Sequence, residues 1–273
     1  MSSHRPRKRF GQNFLRDQHV LDRIIAAADL QEDDRILEIG PGPGALTSRL
    51  LASGLPVLAV EIDRDLGAAL QARDVKNLDV IIGDVLRLDW AELLQNPPYK
   101  LIANLPYNIS SQVLFKVLDH RHAFRRLVLM FQKEVGDRLV AEEGTRNYGI
   151  LPALIQPWFR IVRVAKVPPG AFHPPPKVDS VVLCLEPLSE PRLTLHDEAL
   201  YRKLVRGAFA QRRKTLRNSL LGSGWGAEEI DRAFSAAGIE PSRRGETLKI
   251  EEFATLANIL ANILACMLIF VVI

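Results

Sequence analysis

Arg35-Ile-Leu-Glu-Ile-Gly-Pro-Gly-Pro-Gly-Ala-Leu46 decides the fold. Ile36, Leu37 and Ile39 read as a short buried strand, Gly40, Gly42 and Gly44 turn the chain, and the spacing of Leu46, Leu50 and Leu51 predicts a helix over 45–52. A strand that breaks on glycines and enters a helix is a nucleotide-binding device. Without a Cβ the backbone can turn tightly and approach a ligand, while the new helix offers free N–H groups. Glu38, near the strand's end, projects a carboxylate toward the same crevice. The spacing Gly40-x-Gly42-x-x-Ala45, with Glu61 about 20 residues on, also satisfies the dinucleotide fingerprint. The loop alone therefore leaves the cofactor open, and a plain tight turn open beside it.

Outward from this loop, strands and helices alternate. Residues 17–30 have helical periodicity with Asp17 or Gln18 near the cap. Apolar runs at Pro56–Glu61, Leu78–Ile82, Lys100–Asn104 and Arg126–Phe131 predict further strands, with helices over 66–72, 110–118 and 133–140. This order predicts an α/β fold built on a Rossmann-like, doubly wound, mostly parallel sheet. The strand ends carry Gly40, Glu61, Asp84, Asn104 and Gln132, along the edge where such sheets bind ligands. Phe159–Val167 and Val178–Glu186, joined by a proline-rich link, read as an antiparallel pair at the sheet's edge. A shift in composition around Pro187–Pro191 marks a domain boundary, giving residues 1–188 and then a small all-α domain, 189–262. Its helices are expected over 197–210, 213–221, 227–237 and from Ile250 onward.

The chain has 273 residues, 47% of them hydrophobic and 25% charged, as in an ordinary soluble globular protein. The net charge is only +4, but residues 1–16 and 201–218 are basic stretches without an acid. Two such stretches point to a polyanionic partner, through Arg7, Lys8, Arg9, Arg212, Arg213, Lys214 and Arg217; a solvated helix face is the competing reading of either one. Cys184 and Cys266 are too few and too far apart for a disulfide framework or a thiolate metal site, and His120 and His122 have no cysteine nearby. No metal is expected. The basic N-terminus lacks the apolar run of a secretory signal, so a cytoplasmic location is expected. Ala257-Asn-Ile-Leu260 is repeated as Ala261-Asn-Ile-Leu264 and followed by an apolar run to Ile273. That atypical tail, 263–273, is shorter than the ~20 residues of a membrane span, and is expected to be a reading-frame scar or a docked terminal segment, with no membrane anchoring.

Asn104-Leu-Pro-Tyr107 carries the chemistry. The exocyclic amine of a flat base is a poor nucleophile because its lone pair is delocalised into the ring. An Asn side-chain carbonyl and the next backbone carbonyl can both accept its hydrogens, drawing the nitrogen toward tetrahedral geometry. Tyr107 offers a stacking face for a base taken out of its stack, and Pro106 stiffens the turn. A capped β-to-α turn is the bland reading of the same four residues.

Together these stretches resemble the S-adenosylmethionine-dependent ribosomal RNA adenine dimethylases, from the N-terminus to about Leu260. Lys8-Arg-Phe-Gly-Gln-Asn-Phe-Leu15 is similar to the family's opening motif, which implies that Gln12, Asn13 and Leu15 border the cofactor. Glu38 to Gly44 is similar to its cofactor loop, so that Glu38, Gly40 and Gly42 join the cofactor site. By the same resemblance Glu61 takes the ribose hydroxyls, Ile62 flanks the adenine, Asp84 and Val85 bind the adenine amine, and Asn104 borders cofactor and target alike. Phe172-His-Pro-Pro-Pro-Lys-Val-Asp-Ser180 is similar to the target-base loop, with Phe172 as a second stacking face. Phe209 to Asn218 most resembles the bacterial branch that dimethylates two adjacent adenines near the 3′ end of 16S rRNA. The resemblance implies a catalytic domain over 1–188, an rRNA-binding domain over 189–262, S-adenosylhomocysteine as the product, and a monomer acting on the small ribosomal subunit. The run after about Ala261 matches nothing in the family. Three readings compete: an NAD-dependent oxidoreductase, a non-catalytic ribosome assembly factor, and a large-subunit methylase of the drug-resistance type.

Overall fold

Continuous apolar runs bounded by glycine, proline or acids become the strands of one sheet. In chain order the elements are β1 (Phe14–Leu15), α1 (Gln18–Ala28), β2 (Arg35–Ile39), α2 (Ala45–Leu51), β3 (Val57–Glu61), α3 (Arg64–Gln71), β4 (Leu78–Ile82), α4 (Trp90–Leu93), β5 (Tyr99–Asn104), α5 (Ser110–Asp119), β6 (Phe124–Gln132), α6 (Lys133–Leu139), α7 (Ile150–Ile155), β7 (Phe159–Val167), β8 (Phe172–His173), β9 (Ser180–Pro187), α8 (Glu198–Ala208), α9 (Leu216–Gly222), α10 (Ala227–Ala237) and α11 (Ile250–Val271). This computed structural model describes Arg7, residues 11–211 and residues 213–271. Lys8, Arg9 and Arg212, expected at the polyanion surface, lie outside the described residues.

The seven-stranded sheet has the order β4-β3-β2-β5-β6-β9-β7. Neighbours from β4 to β6 pair in parallel, and β9 runs antiparallel to both β6 and β7. The order steps outward from β2 in both directions, so a crevice opens where β2 and β5 diverge at their C-terminal ends. Glu61 ends β3 in register with Ile82, and Asn104 ends β5 in register with Met130. The central strands are apolar on both faces because both faces are covered. Ile36, Leu37, Leu101, Ile102, Val128 and Leu129 are all buried. Asp17 caps α1 by accepting from the Val20 N–H at 3.0 Å, and Leu21 and Ile24 turn that helix's apolar stripe inward.

A second, two-stranded ladder pairs Phe14 with His173 and Leu15 with Phe172. It lies outside what periodicity can reveal, since two residues carry no repeat. The Ala171 carbonyl accepts from the N–H groups of Arg16 and Asp17, which fastens the same crossing.

The described residues fall into two compact units: Met1–Gly136 with Phe159–Leu188, and Asp137–Trp158 with Ser189–Ile273. The expected division at 188/189 therefore misses Asp137–Trp158. α7 is apolar all round, and its Ala153 carbonyl accepts the buried Tyr201 hydroxyl of α8 at 2.8 Å. In this second unit Leu204, Leu220, Phe234, Phe253 and Leu260 are buried. α11 continues as helix past Leu260, but Asn262, Ala265 and Cys266 are exposed. Among the described residues no helix is long and apolar enough to cross a membrane.

Candidate active site

The glycine turn after β2 works through its backbone. Gly40 and Gly42 have φ of +68° and +58°, which side chains disfavour, and a Cβ on Gly42 would stand 3.0 Å from the Phe14 ring. The turn is tied to the end of β3 by the buried Glu61 carboxylate. One oxygen accepts from the Gly42 N–H at 2.9 Å and the other from the Asp63 N–H at 2.8 Å. Burial raises the Glu61 carboxyl above its ordinary range, and those two N–H groups pull it back.

A cavity of about 280 Å³ opens over these strand ends. It brings together Gln12, Asn13, Gly40, Gly42, Glu61, Ile62, Asp84, Val85, Asn104 and Tyr107, as the sequence-based site anticipates. Ile62 is 40% exposed, an apolar side chain open to this cavity. The carboxylates of Glu61 and Asp84 lie in its lining, and no lysine or arginine does among the described residues. A pyrophosphate would find the Gly42 N–H already taken by an acid and no cation to meet it. That argues against the dinucleotide arrangement the glycine spacing allowed.

A neighbouring cavity of about 300 Å³ is lined by Leu15, Arg16, Glu38, Gly40, Arg73 and Asn104. Leu15 and Glu38 thus line this second cavity, which shares Phe14, Gly40 and Asn104 with the first. Glu38 is 1% exposed, and its Oε2 has no hydrogen-bond partner among the described residues. Burial is the main reason its carboxyl is pushed up to about 8; the Glu61 charge adds to this, while the Thr47 hydroxyl and the Arg73 charge oppose it. A buried carboxyl with one unpartnered oxygen beside the glycine turn is a group able to take a hydrogen-bonding ligand.

Asn104 is oriented from the side. Its Nδ2 donates to the Asn13 carbonyl at 3.1 Å, and its Oδ1 accepts no hydrogen bond from the described residues. The amide can only be placed one way round, because an oxygen could not donate to that carbonyl. Tyr107 is half-buried at the cavity wall, and its hydroxyl meets the Ser180 Oγ at 2.6 Å. Burial raises the phenol above its ordinary range, so it stays protonated. Ser180 closes the Phe172–Ser180 stretch quoted above, but it lies far from Tyr107 in sequence and nothing local announces that the two hydroxyls meet.

Phe172 requires a correction. It was expected as a second stacking face, but it is 4% exposed, paired with Leu15 and packed in the core with Leu21 and Ile24. It lines neither cavity. At 4% exposure the ring offers no open face to a base in this structure.

The basic residues sort differently from expectation. The Arg7 guanidinium is engaged by Asp63 at 3.3 Å and by Asp65, and Gln12 donates to the same Asp63 at 3.1 Å. These contacts fasten the N-terminal segment to the start of α3. Arg213 and Arg217 do not share a helix face. Thr215 is the N-cap of α9, its hydroxyl accepting from the Asn218 N–H, so Arg213 precedes the helix. Arg217 forms a two-pronged pair with Asp231 at 2.7 and 2.8 Å. Arg213 and Lys214 are exposed, and Lys214 lines a cavity of about 250 Å³ in the second unit with Arg138, Tyr148, Arg244 and Glu246. Among the described residues no group of His, Cys, Asp or Glu is placed to hold a metal.

Comparison with known proteins then places the chain. The family model for ribosomal RNA adenine dimethylase matches residues 3–262. The ribosomal RNA small subunit methyltransferase A of Syntrophotalea carbinolica is 62% identical over 258 residues, covering 94% of this chain and 98% of that one. The protein of the same name in Geobacter metallireducens is 51% identical over 261 residues, covering 93% and 95%. Among solved structures, a dimethyladenosine transferase from Plasmodium falciparum has a TM-score of 0.75 at 29% identity, covering 89% of this chain and 95% of that one. The 23S rRNA methyltransferase ErmE has a TM-score of 0.65 at 27% identity, covering 91% and 100%.

Proposed function

Because the chain belongs to the ribosomal RNA adenine dimethylase family, we propose that it dimethylates the exocyclic amines of two adjacent adenines near the 3′ end of 16S rRNA, using S-adenosylmethionine. The observation that carries this reading is Asn104: its amide is anchored on Asn13, which leaves Oδ1 as the atom able to accept from a target amine in the cavity. As the amine nitrogen becomes cationic in attack, an oxygen already aimed at its hydrogens stabilises the charge without reorganising. Tyr107 supplies a rigid face for the flipped adenine. No strong base is needed, since the amine becomes acidic only as it is methylated.

The residues present fit the cofactor. S-adenosylmethionine, when bound, supplies an electrophilic methyl group on a cationic sulfur. A crevice with Glu61 and Asp84 in its wall suits a cation, and the exposed Ile62 with Val85 suits the faces of an adenine. Glu61 would take the ribose hydroxyls and Asp84 the adenine amine. The rRNA backbone would lie on the second unit, around Arg213, Lys214, Arg138 and Arg244. The far higher identity to small-subunit enzymes than to ErmE favours 16S over 23S rRNA.

Asn104→Ala tests the reading on unmethylated small subunits. Turnover should fall by a factor of about 100 or more, the scale of one preorganised charge-stabilising group, while cofactor and RNA affinities stay nearly unchanged. A fully active Asn104→Ala enzyme would refute it.

A further inference from the structure

Tyr107 and Ser180 are 73 positions apart in the chain, yet their hydroxyls meet at 2.6 Å. Ser180 is fully buried, and it is held from both sides. It opens β9 opposite Gln132 of β6 and Val167 of β7, and the preceding Asp179 carbonyl accepts from the Lys133 N–H at 2.8 Å. Its Oγ is therefore a fixed point in the sheet. Tyr107 stands in the turn after β5, where the backbone leaves the ladder and the aromatic ring reaches the cavity wall. A ring attached only at Cβ can turn about two side-chain torsions, and the second of these is soft. A ring also pinned at its far oxygen keeps one plane.

We propose that Ser180 is a positioning residue for base methylation, its hydroxyl fixing the plane of the Tyr107 ring on which the target adenine stacks. The inference rests on the reading of Tyr107 as the stacking face. Ser180 does not line the cavity and touches no reacting atom. The phenol stays protonated, so it can donate to the serine oxygen across the working pH range. The same bond closes the long proline-rich passage between β7 and β9 back onto the catalytic turn. The stacking wall is thus set by the sheet and not by the loop that carries it.

The test uses the whole enzyme with unmethylated small subunits, comparing wild type, Ser180→Ala, Tyr107→Phe and the double variant. A net hydrogen bond between neutral groups corresponds to a rate effect of about two- to tenfold. Each single variant should lose kcat by that factor, with S-adenosylmethionine affinity measured by calorimetry unchanged. The double variant should be no slower than either single one, because both remove the same bond. Tyr107→Phe retains the ring and fills the same space, so it decides the matter even where Ser180→Ala is too unstable to assay. Undiminished kcat in Tyr107→Phe, or losses that multiply in the double variant, would overturn the pin while methylation by the wild type stands. A wild type that methylates no rRNA would overturn the underlying reading and the pin with it.

Discussion

Replacing Glu38 by glutamine isolates the electrostatic cost of the buried carboxyl beside the glycine turn. The group titrates near 4.5 in the unfolded chain and at about 8 in the folded one, chiefly because burial strips its hydration. Between those values the unfolded chain has lost the proton while the native protein keeps it. The unfolded state then binds fewer protons, so stability falls as pH rises through that window; it is whole below about 4.5 and the loss is complete above about 8. At about 1.4 kcal/mol per unit, the full loss is about 4 to 5 kcal/mol. Glutamine has nearly the same shape and cannot titrate. Subtracting its urea-unfolding stability from that of the wild type cancels the other ionisable groups and leaves any fixed packing difference as an offset. Relative to that offset, the variant should gain about 4 kcal/mol on the wild type between pH 5 and pH 9. A difference that stays flat across this range would show that Glu38 titrates as an ordinary carboxylate, and would remove the argument that it is a buried group able to take a hydrogen-bonding ligand.

Further outcomes follow from the same geometry. Glu61→Ala should weaken S-adenosylmethionine binding in calorimetry by roughly 1.5 to 3 kcal/mol, the scale of a hydrogen bond to a charged group, while NAD binds to neither protein. Phe172→Ala should destabilise the protein by about 3 to 5 kcal/mol, read as a fall in the denaturant midpoint, because it empties a core site and not a base-stacking one. Replacing Arg213 and Lys214 together by alanine should lower the slope of log affinity for small subunits against log salt by between one and two units, at about 0.7 to 0.9 per contact. Circular dichroism should show an unchanged fold, and an unchanged slope would mean a merely solvated surface.

Much of the fold was legible because its physics is local. The central strands β2 to β6 are short apolar runs that end at glycine, an acid or a side-chain amide, and parallel strands covered on both faces read that way. The proline-rich link between β7 and β9 announced an antiparallel pair, and the pair is there. What escaped was non-local. The β1–β8 ladder joins residues far apart through two positions each, and the Arg217–Asp231 pair crosses between helices. α7 was hidden because it is apolar on every side and contains Pro152. One miss had a signal that went unused: Thr215 is a favoured N-cap residue, and as the cap it places Arg213 outside α9. The cavity assembled as expected wherever a strand end supplied the residue, as at Glu61, Asp84 and Asn104. It failed at Phe172, where a motif says which residue is present but not which way a short β-bridge turns it.

Mass spectrometry of the 3′ fragment of 16S rRNA, taken from unmethylated small subunits incubated with this protein and S-adenosylmethionine, tests the central claim most directly. The account predicts two methyl groups on each of two adjacent adenines, absent when the cofactor is withheld. An unmodified fragment, or methylation confined to large-subunit rRNA offered alongside, would contradict it.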